Sequence, residues 1–121
     1  MMTQEYEPTD LAGQERTAEQ SAAEERRQRE LRQNDLRWAM STKQGRRFIY
    51  RQLSEAGIWL SSFDADTAVM AFREGRRNGG LQLLSEIMEA CPERYTDMLT
   101  EQQEAKERND NRNADSRNRR R

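Results

Sequence analysis

Two tripeptides, Gly45-Arg46-Arg47 and Gly75-Arg76-Arg77, set paired guanidinium groups beside large apolar residues. Phe48 and Ile49 follow the first, and Phe72 precedes the second. Guanidinium is planar, permanently charged and able to make two parallel hydrogen bonds to a carboxylate or phosphate. The chemistry on offer is recognition, not bond making. If the helices carrying them pack side by side, Arg46, Arg47, Arg51, Arg73, Arg76 and Arg77 converge on one surface. That surface would dock acidic partner residues or phosphate. The competing use is internal pairing with Glu55, Glu74, Asp64 and Asp66, and the sequence leaves both open.

Other reactive residues form weaker patterns. Asp64 and Asp66 flank Ala65, and Glu86 and Glu89 stand three apart. Neither pair comes with a glycine-rich phosphate loop or a cluster of metal-ligating residues. Asp64 and Asp66 suit the start of a helix, where the dipole favours acids. Cys91 is the one cysteine and reads as a small buried side chain at a helix junction. Histidine, the commonest general acid and base, is absent. The expectation is therefore a protein that is not an enzyme and needs no cofactor or metal.

Of the 121 residues, 33% are hydrophobic and 36% charged, too polar for the whole length to fold around a core. The formal net charge of −1 hides a gradient. Residues 1–35 hold five arginines against nine acids, net −4, residues 36–99 are at +1, and residues 100–121 at +2. Overall neutrality argues against an autonomous high-affinity DNA binder. No apolar run approaches the roughly 20 residues of a membrane span, and residues 1–10 lack the apolar centre of a secretory signal.

The elements that must position the arginines are helical. Gln14 to Arg32 is rich in helix formers with no Gly or Pro, and Glu25–Arg29 is a favourable pair. Its start before about Gly13 is expected to be disordered. Leu36, Trp38 and Met40 end this stretch. Ser41 or Thr42 reads as an N-cap for a helix over Lys43–Ala56, closed by Gly57 and buried through Phe48, Ile49, Leu53 and Ala56. Ile58 to Asp64 is a loop, expected to plug the core with Trp59, Leu60 and Phe63. It is longer and more apolar than the turn of a helix-turn-helix. Asp66 or Thr67 caps the next helix, about Thr67 to Ala90, buried through Val69, Phe72, Leu83, Leu84, Ile87 and Met88. Gly79 and Gly80 within it predict close packing of a neighbouring helix. Pro92 opens a last helix, with Tyr95, Met98 and Leu99 inward. Residues Asn109 to Arg121, nearly all Asn, Asp and Arg, predict no fold of their own. The class is all-α: an acidic, partly helical arm over 1–33, a helical core over 34–99, and a polar helix end with a basic tail over 100–121.

A resemblance enters at these residues. Gly45-Arg46-Arg47-Phe48, Ala56-Gly57, Ser61-Ser62-Phe63, and above all Phe72 to Asn78 with Gly80-Leu81, Leu83-Leu84, Ile87 to Ala90, Pro92-Glu93 and Tyr95 resemble a family of small tailed-bacteriophage proteins typified by a Bordetella phage member. The resemblance covers about Asn34 to Leu99, and the genes of that family typically lie among head, portal and packaging genes. It implies a viral origin, a role in the virion or its assembly, and no known catalysis.

The function expected is that of a non-enzymatic virion protein docking by its helices on portal, neck or ejection proteins. It would occupy the host cytoplasm during assembly and then the particle. An internal, ejected component and a fixed neck accessory compete within that class. A nucleic-acid-binding packaging or regulatory protein, using Arg76, Arg77 and the tail, is the alternative; the virion reading allows at most weak contact with genomic DNA. The docking candidates are Arg46, Arg47, Arg76, Arg77, Gly79, Gly80 and Trp59. The small core, the apolar Trp59 loop and the bare glycines predict a chain that borrows stability by forming an oligomer in the virion.

Overall fold

The computed structural model describes residues 10–120. They form four helices, α1 (Leu11–Met40), α2 (Lys43–Ala56), α3 (Thr67–Ala90) and α4 (Pro92–Arg119), with no strand among the described residues. The protein is all-α. The described residues fall into two separate compact units, divided between residues 32 and 33.

In the first unit the helix starts earlier than its composition suggests. The Asp10 carboxylate accepts from the Gly13 N–H at 2.9 Å, capping a free donor of the first turn. No residue from Asp10 to Asp35 is buried. Local propensity and side-chain pairs sustain this stretch. The ion pair there joins Arg27 to Glu24, not Arg29 to Glu25. The expected disorder of residues 1–9 lies outside the described residues.

The second unit holds the core: Leu36, Met40, Ile49, Leu53, Ile58, Ile87, Cys91 and Met98. Helices α2, α3 and α4 pack on one another, and Leu36 and Met40 bring in the end of α1. Thr42 Oγ1 accepts from the Gly45 N–H at 3.0 Å and caps α2. Gly57 closes α2 with φ 79°, a left-handed conformation that suits glycine, and its N–H reaches the Leu53 and Ser54 carbonyls. Asp66 caps α3 through the Ala68 and Val69 N–H groups, and Pro92 takes the first turn of α4. The cap residues legible in the sequence do what their chemistry suggests.

Several expected core residues are outside it. On α2 the inward row is Arg46, Ile49, Leu53 and the half-buried Ala56, spaced three, four and three. Phe48 falls about 100° off that row and is 51% exposed. In the loop only Ile58 plugs the core; Leu60 and Phe63 are exposed, and Trp59, 44% exposed, stacks on Tyr50 at 5.2 Å. Arg76 and Gly80 meet the last turn of α2 and Ile58, two residues after it, so α3 before Arg76 lies beyond the end of α2. Val69 and Phe72 therefore have no helix to bury against and are exposed. Trp38, Met88 and Leu99 are exposed as well.

The Asn/Arg-rich end, expected to lack structure, continues α4 to Arg119. A helix nucleated by packing at Met98 needs only one hydrogen bond per added residue to propagate. Arg117 and Arg119 in the last turn complement the dipole. Arg121 lies outside the described residues.

Gly79 and Gly80 separate cleanly. A Cβ on Gly80 would lie 2.6 Å from Ala56 Cβ and Ile58 Cγ2, whereas one on Gly79 would meet nothing within 4 Å. The close packing expected of both belongs to Gly80 alone. Gly80→Ala is expected to destabilise the protein by about 1–3 kcal/mol through overpacking. Gly79→Ala is expected to stabilise it by about 0.5–1 kcal/mol through propensity. Urea denaturation reads the two opposite signs.

Candidate docking surface

The two Gly-Arg-Arg copies share a sequence but not a role. At the first, a Cβ on Gly45 would sit 1.8 Å from the Ala39 carbonyl oxygen, so only glycine lets α2 start this close to the end of α1. At the second, a Cβ on Gly75 would meet nothing within 4 Å. Arg46 is buried, with 8% of its surface exposed. Its Nε and Nη2 donate to the Glu101 carboxylate at 3.0 and 2.6 Å, and its Nη1 donates to the Met40 carbonyl at 2.9 Å. The bond to Glu101 raises the Arg46 pKa above its ordinary value against the opposing cost of burial, with help from the Glu101 and Asp97 charges. Arg46 ties α1, α2 and α4 together and has little surface left for a partner. Arg47, next to it, is exposed.

The second copy lines an open cleft of about 380 Å³ between the end of α2, the loop after it and the first half of α3. Its walls include Glu55, Leu60, Ser61, Arg73, Arg76 and Arg77. Arg76 donates to the Glu55 carbonyl at the C-terminal end of α2, where a cation offsets the dipole, and lies 5.8 Å over the Phe72 ring. Arg73 pairs with Asp64 at 3.2 Å. Ser62 Oγ donates to the Glu74 carboxylate. Arg77 Nε is buried and has no hydrogen-bond partner. Internal pairing thus engages Arg46, Arg73 and Arg76, though for Arg46 through Glu101, which sequence reasoning did not offer. The six arginines do not form one surface.

Large apolar side chains surround this cleft. Leu60 lines it at 69% exposure, Phe63 offers its carbonyl to Arg73, and Phe72 lies under Arg76. Phe63 is 75% exposed and Phe72 66%; Trp38, at the end of α1 and not among the residues lining the cleft, is 80% exposed. Arg51 covers one side of exposed Phe48 at 5.3 Å. Trp59, half covered by Tyr50, keeps an accessible edge. An exposed apolar rim around guanidinium groups fits protein contact, because aromatics and arginine dominate the energetics of interface centres. Apolar spacing predicts a buried Phe72 because it does not say where a neighbouring helix stops, while Phe63, expected as part of the loop plug, leaves that role to Ile58.

Two residues were missed altogether. Glu101 stands 55 positions from Arg46, and no local spacing links them. Arg37 Nε donates to the Ala90 carbonyl at 3.1 Å, closing the end of α3 from α1; a cation near a helix end was the available hint. Cys91 is buried at the junction of α3 and α4, where burial first and Glu93 second push its thiol pKa up. A raised thiol pKa means less thiolate and an inert side chain. Among the described residues no three His, Cys, Asp or Glu converge as a metal site. No helix among them is long and apolar enough to cross a membrane.

The segment that builds the core and the cleft is also the one that identifies the chain. Residues 36–100 match the sequence profile of the Bbp19-like phage proteins. The chain belongs to that phage protein family. No curated protein and no solved structure matches it. The match starts at Leu36, the first buried residue, takes in Arg46, Arg76, Arg77 and Gly80, and ends one position before Glu101, the partner of Arg46. Residues 10–35 and 101–120 lie outside it, and of these Glu101 alone joins the buried clasp.

Removing one member of a buried ion pair strands the other. Arg46→Ala and Glu101→Ala are each expected to cost about 3 kcal/mol. The double variant is expected to cost less than the sum by about 1–3 kcal/mol, the signature of direct coupling. Additive losses in urea unfolding would show that the clasp does not carry the packing of α4 on α2.

Proposed function

We propose that this phage protein is a non-enzymatic component of the virion, docked by its helical core on other virion proteins near the portal. The observation that carries this reading is the number of large apolar residues left uncovered beside a small core. Trp38, Leu60, Phe63 and Phe72 are each at least 66% exposed. Exposed apolar patches rimmed by polar groups mark interaction sites. Arg76 and Arg77 would frame the contact and Trp59 would add its open edge. Membership of a phage protein family supports phage components as the partners.

Of the two placements, the internal one suits the helices better. Residues 11–35 of α1 and the end of α4 bury nothing. A bare helix is about 10–12 Å across, so such stretches suit passage through a narrow channel with the genome. A fixed neck accessory would have less use for them. The small core supports self-association in the particle as a further part of the proposal.

Mass spectrometry of purified virions, before and after genome release, tests both parts. The expected result is a virion-resident protein lost when the genome leaves. Retention in emptied particles would favour the neck, and absence from intact virions would end the virion reading. The pair Phe63→Ser and Phe72→Ser is expected to lower incorporation at least about tenfold with little change in stability, since exposed substitutions rarely shift it by more than about 0.5 kcal/mol.

A further inference from the structure

The far end of α4 differs in kind from the docking surface. Arg108 to Arg120 comprises five arginines, four asparagines, two aspartates, Ala114 and Ser116, every one exposed. Arg37, Arg46, Arg73 and Arg76 each donate to a named acceptor, but among the described residues no ion pair or side-chain hydrogen bond engages Arg108, Arg112, Arg117, Arg119 or Arg120. Arg108, Arg112 and Arg119 fall within about 40° on a helix turning about 100° per residue, along about 17 Å of its length. Asp115 is the acid on that stripe.

We propose that this end of α4 binds duplex nucleic acid, with the Arg108–Arg112–Arg119 stripe on the phosphates. The composition argues against a protein partner. A protein interface needs apolar anchors at its centre, and Ala114 is the largest apolar side chain available here. It argues equally against simple solvation. Like charges at Arg108 and Arg112 oppose each other at i,i+4, and asparagine is a poor helix former. A helix shaped only for solubility would use mixed Glu and Lys. Arginine bridging phosphates and asparagine reaching phosphate or base edges give both residue types a use. An α-helix fits the major groove, and duplex carries one charge per about 1.7 Å. The charge gradient along the chain supplies complementarity where net charge does not: residues 108–120 stand at +3 while the whole chain is at −1.

Fluorescence anisotropy with a labelled duplex of about 20 base pairs tests this on the full chain. Three phosphate contacts give a log–log salt slope of about −2.7, so affinity should fall about 40-fold between 50 and 200 mM salt. The variant Arg108→Gln/Arg112→Gln/Arg119→Gln removes three exposed charges and retains helix formers. It is expected to lose binding and most of the slope. The matched control Arg26→Gln/Arg27→Gln/Arg29→Gln removes the same charge from α1 and is expected to bind as the parent does. Equal loss in both variants, or full binding by the first, would overturn the proposal. So would no binding by the parent, or displacement by polyglutamate as effective as by unlabelled duplex, which would mark an acidic-protein site. Incorporation into virions is read separately and does not depend on this result.

Discussion

The Arg46 clasp is the constraint on which the core depends. Three helices meet at one guanidinium, which spends its donors on the Glu101 carboxylate and the Met40 carbonyl. A buried charge is costly unless paired and hydrogen-bonded, so its position fixes where α2 and α4 can lie. Gly45, pressed on the Ala39 carbonyl, sets the entry of α2, and Arg37 ties α1 to the end of α3. Around these polar ties the apolar core is small: among the described residues eight hydrophobic side chains are buried, four of them at 0% exposure. In so small a core, directional bonds set the register that bulk burial alone would leave loose.

The same smallness explains the surface. α2 has 14 residues and α3 has 24, so much of α3 passes the end of its neighbour. The apolar residues there, with Leu60 and Phe63 from the loop, remain uncovered within the chain. Arg73 and Arg76 hold that region in place through Asp64 and the Glu55 carbonyl. The core thus ends in a surface that is ordered but not buried, as a docking element requires.

The helices were legible in the sequence because their ends are written in local chemistry. Thr42, Gly57, Asp66 and Pro92 each act at the position their side chain or backbone suits. Burial was less legible. Periodicity marked Leu53 and Ile87 correctly, but it could not show that Phe48 yields the inward position to Arg46, or that Phe72 has no helix opposite it. The paired arginines drew attention as one repeated motif, yet the structure buries Arg46, half-buries Arg77 and exposes Arg47 and Arg76. Partners 55 residues apart leave no mark on local spacing. The resemblance to phage proteins rested on the segment that folds, and the family profile matches that segment.

The claim at the centre is that the uncovered apolar surface is covered in the particle. Hydroxyl-radical footprinting, read by mass spectrometry on the free protein and on purified virions, addresses it most directly. Trp38, Phe63 and Phe72 are exposed in the isolated chain and should oxidise readily, while buried Met40 and Met98 should not. In virions the three aromatics are expected to be protected severalfold, with Met40 and Met98 unchanged. Equal oxidation of Trp38, Phe63 and Phe72 in the free protein and in the particle would contradict the account.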